Sequence, residues 1–288
     1  MVIVVVGPTG VGKTKLSIEL AKRLNGEVIN ADSTQVYRGL DIATAKVTES
    51  EKEGIVHHLF DIKDINEDYT IYDYQKDSRE VIDDITKRGK TPILVGGTGL
   101  YIKASLYDYK FNIEEKKYDF SEYTLDELYD KLISIDPDTP IHKNNRKRIE
   151  RALTMYYNNN EVKEKTDKLL YDAVFIGLTT DRETLYKRIN DRVDVMLKNG
   201  LLDEAKKIYE SGIRSKAVMT PIGYKELFEY FDSNISLEEA IELIKKHSRN
   251  YAKRQYTWNR HQFDVNWFNV DFNSFENTVN QVINFINK

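Results

Sequence analysis

VIVVVGPTGVGKT, residues Val2 to Thr14, decides the fold. Val2–Val6 is a continuous β-branched apolar run closed by a glycine, the pattern of a strand buried on both faces. The next eight residues, Gly7-x-x-x-x-Gly12-Lys13-Thr14, match the loop that joins such a strand to a helix and wraps phosphate groups. The glycines Gly7, Gly10 and Gly12 let backbone N–H groups turn inward along the stretch that also holds Pro8, Thr9 and Val11, and the start of the next helix adds positive potential. Lys13 supplies a point charge and the Thr14 hydroxyl a ligand for Mg²⁺. The plainer alternative is a tight turn with an incidental lysine. The pattern speaks for phosphate and leaves open which phosphate compound, ATP or another.

Outward from this loop, the residues from Lys13 to Leu24 read as a helix, with Leu16, Leu20, Ala21 and Leu24 on one face and Asn25-Gly26 as its end. Val28-Ile29 reads as a second strand and residues 72–88 as a helix stopped by Gly89. Pro92–Val95 reads as a third strand, running into Gly96-Gly97-Thr98-Gly99. Strands alternating with helices predict a parallel sheet covered on both faces. Residues 107–123 lack a clear period; helical patterns succeed them at 124–135 and 143–157. Ala173–Leu178 returns to the sheet, and from 181 onward nearly everything reads as helix: 181–198, 201–211, 221–231, 236–258 and 273–287. The fold class expected is α/β: a P-loop NTPase-like parallel sheet flanked by helices, formed by 1–110 and 171–288, with a mostly helical insertion at 111–170.

The 288 residues suffice for a sizeable core. With 31% charged and 40% hydrophobic residues, no long apolar run and no basic leader before the valines, the chain reads as a cytoplasmic protein without signal peptide or membrane span. The absence of cysteine excludes disulfides, cysteine zinc sites and thiol catalysis. A net charge of −4 argues against a uniformly basic surface and leaves local basic patches open.

Asp32-Ser33-Thr34-Gln35 comes just after the second strand. In open parallel sheets ligands lie beyond the C-terminal strand ends, so Asp32 should face the same crevice as the phosphate loop, as general base or metal partner. Equally, Asp32 and Gln35 fit a helix cap. The second glycine loop, 96–99, is either a site loop or a close-packed turn. No clear Walker-B aspartate and no Asn-Lys-x-Asp motif are found, so the machinery of an ordinary ATPase or GTPase is incomplete. His57 and His58, adjacent on an extended segment, point to opposite faces and read as structural.

Two segments are basic. Residues 142–151 hold five Lys/Arg against one acid, among them Lys147, Arg148 and Arg151. Residues 245–260 hold six and no acid, including Lys253, Arg254 and Arg260, interleaved with Tyr251, Tyr256 and Trp258. Such clusters suit an RNA backbone with aromatics for stacking. The alternative is a solvated helix face whose aromatics pack inward, as the spacing Ile244–Tyr251–Trp258 allows.

In order along the chain, Gly7–Thr14, Asp32-Ser33-Thr34-Gln35-Val36-Tyr37, Thr44-Ala45-Lys46, Gly96–Tyr101, Arg148-Ile149-x-Arg151-Ala152-Leu153, Ile222–Glu226 and Tyr251-Ala252-Lys253-Arg254-Gln255-x-x-Trp258-x-Arg260 stand together. This series resembles the tRNA dimethylallyltransferase family of the bacterial type. The chain departs from the family's usual residues at Val47, Asn145-Arg146 and Thr220-Pro221.

The resemblance implies transfer of a dimethylallyl group from its diphosphate to N6 of the adenosine 3′-adjacent to the anticodon (position 37), in tRNAs reading codons that begin with U. It implies that residues 7–14 cradle the diphosphate, with Lys13 and a Mg²⁺ on Thr14 offsetting charge on the leaving group. Asp32 would take the N6 proton and Thr98 would align the reacting groups. Asp32, Ser33, Thr34, Gln35 and Thr98 would read the extruded adenine, and Lys147, Arg148, Arg151, Lys253, Arg254 and Arg260 would hold the anticodon stem-loop. The expected partners are that stem-loop and dimethylallyl diphosphate, with the enzyme a monomer and no membrane involved. Two alternatives are an isopentenyltransferase acting on free adenylate and a P-loop small-molecule kinase. In the kinase, Arg182, Arg188 and Arg192 would lie over the phosphates instead of decorating an exposed helix.

Overall fold

Strand β1 (Val2–Val6) is buried along its whole length at the middle of a six-stranded sheet. The others are β2 (Gly26–Asn30), β3 (His57–His58), β4 (Thr91–Val95), β5 (Ala173–Thr179) and β6 (Asn266–Asn269). Their order is β3-β2-β4-β1-β5-β6, and every pairing is parallel. All C-terminal strand ends therefore share one edge, where Gly7 succeeds β1, Asp32 succeeds β2 and Gly96–Gly99 succeed β4. The computed structural model describes residues 1–111, 118–158 and 168–288, so part of the aperiodic stretch 107–123 lies outside the described residues.

The chain divides into two units, Met1–Tyr107 with Leu169–Lys288, and Asp108–Lys168. In chain order the helices are α1 (Lys13–Arg23), α2 (Glu49–Lys52), α3 (Ile71–Lys87), α4 (Gly99–Leu106), α5 (Leu125–Ile135), α6 (Arg146–Tyr157), α7 (Arg182–Lys198), α8 (Leu201–Glu210), α9 (Lys216–Met219), α10 (Tyr224–Phe231), α11 (Leu237–Gln262) and α12 (Phe275–Ile286). Alternate β1 side chains serve opposite faces, as the two-residue repeat of a strand requires. Ile3 and Val5 join Leu16 and Leu20 of α1 and Val279 and Val282 of α12. Val2, Val4 and Val6 join the larger core with Ile82, Ile85, Tyr224 and Ile244.

Helix α3 fixes the end of β2. Thr70 and Asp73 form a reciprocal cap at its start. One turn in, the buried Tyr74 stacks on Tyr101 at 3.8 Å and donates its hydroxyl to the Asn30 carbonyl at 2.8 Å, two residues before Asp32.

The second unit packs α5 against α6 around Leu128, Leu132, Ile149 and Leu153. Helix α6 begins at Arg146, after the expected 143, because Asn145 caps it by accepting the Arg148 N–H.

Strand β6 corrects the reading of the chain beyond 181 as nearly all helix. It is a four-residue edge strand, Asn-Trp-Phe-Asn, without the apolar run that marks a buried strand, and it forms by pairing with β5. Gly177 permits this: a methyl group there would sit 2.6 Å from the Trp267 ring. No helix among the described residues is long and apolar enough to cross a membrane.

Candidate active site

The loop between β1 and α1 is a phosphate cradle built on backbone. Gly12 precedes α1 at φ +103°, a conformation that favours glycine, and no side chain caps the helix, so its first N–H groups stay open. Lys13 folds back over the loop, and its Nζ donates to the Gly7 and Pro8 carbonyls, each at 3.0 Å. Burial, with help from Arg192, pushes the Lys13 ammonium down to about 8, and Asp32 opposes the shift.

Helix α7 brings in two groups. Arg192 Nη1 donates to Thr9 Oγ1 at 2.9 Å, and Arg188 Nε donates to the Gly10 carbonyl at 3.0 Å. The alternative that these arginines merely decorate a helix is thereby corrected for both, while Arg182 lies over the Tyr186 ring instead. Their spacing, Arg188 and Arg192 four apart, is the signal that places them on one helix face.

The acceptor side is formed by two loops that lock together. Asp32 caps no helix. Its Oδ1 accepts the N–H and hydroxyl of Thr34, closing a turn between side chain and backbone. Asp32 Oδ2 accepts no hydrogen bond from the described residues. Gln35 does not answer it as a cap; its Nε2 donates to the Thr44 carbonyl at 2.8 Å. Thr98 Oγ1 accepts the Ser33 N–H at 3.0 Å and donates to Ser33 Oγ at 3.2 Å, tying the second glycine loop to the segment 32–35. A methyl group placed on Gly97 would lie 3.3 Å from Asp32 Oδ2, 2.2 Å from Gln255 Nε2 and 3.4 Å from the Tyr251 hydroxyl. Gly97 is therefore where three side chains converge, and the loop is both close-packed and part of the crevice.

Thr14 is exposed at the first turn of α1, and its hydroxyl has no hydrogen-bond partner among the described residues. Those residues hold no cluster of three or more His, Asp or Glu suited to a metal. An ion here would rest on one hydroxyl, a ligand's own phosphate oxygens and several waters, which Mg²⁺ retains readily. The His pair 57–58 is structural: His57 Nδ1 meets the Ile55 carbonyl and His58 Nε2 meets Glu27.

Helix α11 sorts its basic and aromatic residues. Tyr251 donates to the Gly97 carbonyl, Trp258 lies against Gly99, and Tyr256 stacks on Trp267 at 4.9 Å. The expectation of aromatics free for base stacking is corrected: all three are engaged within the chain. Arg260 lies over Tyr256 and Arg254 over Tyr251; Lys253 and both arginines are exposed, and none of the three forms an ion pair among the described residues. In the second unit Arg146 is bonded to Glu150 and to the Phe120 and Tyr123 carbonyls. Lys147, Arg148 and Arg151 there are exposed and form no ion pair among the described residues.

Sequence reasoning missed Glu204, which no local pattern marks. Reaching from α8, it accepts the backbone N–H groups of Asp41, Ile42 and Ala43 and the Tyr224 hydroxyl. Next to this clamp, Lys46 is held by Asp41 and Asp61 at 2.7 and 2.6 Å. The Thr44-Ala45-Lys46 motif thus stands on a rigid base and presents its carbonyls to Gln35.

A family model described as IPP transferase matches residues 35–262. The tRNA dimethylallyltransferase of Anoxybacillus flavithermus is 50% identical, over 99% of this chain and 96% of that protein. The Bacillus subtilis protein of the same name is 48% identical, over 93% and 90%. Among solved structures, the full-length tRNA isopentenylpyrophosphate transferase of Bacillus halodurans superposes with a TM-score of 0.77 at 46% identity, covering 99% of this chain and 95% of that one. A eukaryotic dimethylallyltransferase acting on tRNA gives 0.85 at 34%, covering 98% and 77%.

Proposed function

This chain belongs to the IPP transferase family, and on that footing we propose that it transfers the dimethylallyl group of dimethylallyl diphosphate to N6 of the adenosine at tRNA position 37, in tRNAs reading codons that begin with U. One observation carries the assignment of roles: the open oxygen of Asp32 and the phosphate loop belong to one sheet edge, with Lys13 and Arg192 both within electrostatic reach of Asp32.

That edge supports a displacement at carbon with diphosphate as the leaving group. The diphosphate lies on residues 7–14, where open N–H groups, Lys13 and Arg192 meet the charge that grows on the departing oxygen. The N6 lone pair attacks the allylic C1, the C1–O bond breaks with its electron pair leaving on diphosphate, and the N6 proton passes to Asp32 Oδ2. Thr98 holds Ser33, and with it Asp32, in register for this transfer. Thr14 would hold a Mg²⁺ that, when bound, neutralises leaving-group charge. Exposed Lys253 and Arg254, and Lys147, Arg148 and Arg151 in the second unit, supply cations for the phosphates of the anticodon stem-loop. The reading extends to a monomer acting in the cytoplasm.

Incubation with labelled dimethylallyl diphosphate or ATP, and with tRNA or AMP, tests it. Label entering tRNA supports the proposal. Label entering AMP alone, or phosphate leaving ATP without prenyl transfer, overturns it.

A further inference from the structure

One side chain spans both loops of the site. Gln255, on α11 and 5% exposed, accepts the Thr9 N–H on Oε1 at 2.8 Å and donates from Nε2 to the Gly97 carbonyl at 3.1 Å. Thr9 offers a backbone donor and Gly97 a backbone acceptor, so the network itself fixes which way the amide points. A glutamine meets both demands at this reach. Glutamate lacks the donor, methionine lacks both groups, and asparagine is shorter by a methylene.

Each end of the bridge belongs to a different reactant. Thr9 sits in the loop that would hold the diphosphate. Gly97 precedes Thr98, which binds Ser33 beside Asp32. The support is stiff: one turn before Gln255 the Tyr251 hydroxyl reaches the same Gly97 carbonyl at 3.3 Å, and Trp258 packs so tightly on Gly99 that a methyl group there would lie 2.1 Å from the indole. Residues 251, 255 and 258 thus form one stripe of α11 along the second glycine loop.

We propose that Gln255 is a positioning residue that sets the separation between the diphosphate loop and the loop carrying Thr98 and Asp32. It rests on the transfer reaction proposed above and adds to it the element that aligns the two reactants. Gln255 touches no reacting atom in this role; it acts through Thr9 on one side and Gly97 on the other. The expected size is large because displacement of about 1 Å can slow an aligned reaction by about 10²-fold.

The test compares the full-length wild type with Gln255→Met and Gln255→Glu, measuring kcat and KM for dimethylallyl transfer, Kd for tRNA and for pyrophosphate, and thermal melting. Methionine nearly conserves volume. It should lower kcat by about 10²-fold while both Kd values stay within about fivefold, an alignment loss without a binding loss. Glutamate, which keeps the acceptor for Thr9, should fall between methionine and wild type. A methionine variant with kcat within about threefold of wild type would reduce Gln255 to a space-filler and overturn the proposal. So would a kcat loss that only tracks the folded fraction. Should methionine not fold, a glutamate variant with wild-type kcat would equally overturn the bridge. Wild type that leaves tRNA unlabelled defeats the transfer reaction itself, and the proposal with it, a failure told apart by its presence without any substitution.

Discussion

Strand β2 has a carboxylate at each end, and the two are treated in opposite ways. Glu27, at the start, is 3% exposed at its side chain and takes Arg88 on both oxygens at 2.6 and 2.7 Å, Lys90 at 2.7 Å and His58 at 2.7 Å. The Arg88 guanidinium, with Lys90 and His58, holds this carboxyl far below the usual range against the cost of burial. Asp32, just past the other end, has one oxygen turned onto Thr34 and the other open. Nearby cations exist there too, but they are bonded elsewhere: Lys13 to the Gly7 and Pro8 carbonyls, Arg192 to Thr9. A saturated charge holds the fold together; an unsaturated one, kept near cations it does not bond, is free to act on a substrate.

Asp32→Ala is the strongest way to break this comparison. As the proton acceptor, Asp32 should be worth about 10³-fold in kcat, or about 4 kcal/mol of barrier. Its loss should leave tRNA affinity and melting temperature nearly unchanged. A variant that melts early but turns over normally would make Asp32 a second Glu27.

Glu27→Gln should give the reverse pattern. Removing a buried carboxylate strands its partners, and because Arg88 and Lys90 can turn to solvent the cost should be about 2 kcal/mol, below the range for fully buried pairs. Chemical denaturation should show it, with kcat per folded molecule unchanged. Since folding lowers this pKa, the contribution is present above the unfolded carboxylate range and is lost as pH falls through the lower folded value. The variant should therefore lose less of its stability than wild type on acidification below about pH 4.5.

Lys13 sharpens the same contrast on the cation side. In the free protein burial pushes its ammonium down to about 8. A diphosphate binds the charged form and raises the pKa, so affinity for pyrophosphate should be full below pH 8 and fall by about tenfold per pH unit above it. Calorimetric titration between pH 7 and 10 checks this; a flat profile would mean that Lys13 contributes no charge to binding.

The same distinction explains how much was legible in the sequence. The β1–loop–α1 unit was readable because its glycines, lysine and apolar run answer local demands. Glycines 97 and 99 were visible, but their reason was not: they are small because Gln255 and Trp258, more than 150 positions away, lie against them. Arg188 and Arg192 were readable as one helix face and not as a contact with Gly10 and Thr9. Glu204 left no trace, since a carboxylate that accepts three backbone N–H groups looks in sequence like any acid on a charged helix. Edge strand β6 was hidden because its stability comes from β5 and not from its own composition. Whatever depends on a distant partner, including whether a charge is saturated, was out of reach.

The smallest effects belong to α11, where the comparison recurs among like charges. Lys245 is paired with Asp194 at 2.9 Å and Arg249 with Asn190 at 2.6 Å, whereas Lys253 and Arg254, the latter over the Tyr251 ring, are exposed without ion pairs among the described residues. If open charges are the functional ones, Lys253→Ala and Arg254→Ala should each weaken tRNA binding a few-fold. Each should also flatten the slope of log K against log salt by about 0.7 to 0.9, one phosphate contact apiece. Lys245→Ala, which removes a cation of the same sign on the same helix, should leave that slope alone and lower stability by less than about 1 kcal/mol, because the pair is only partly buried. Equal slopes for all three variants would mean that the RNA senses the net charge of α11 and not its unpaired groups. That result would confine the rule of saturated and open charges to the two ends of β2.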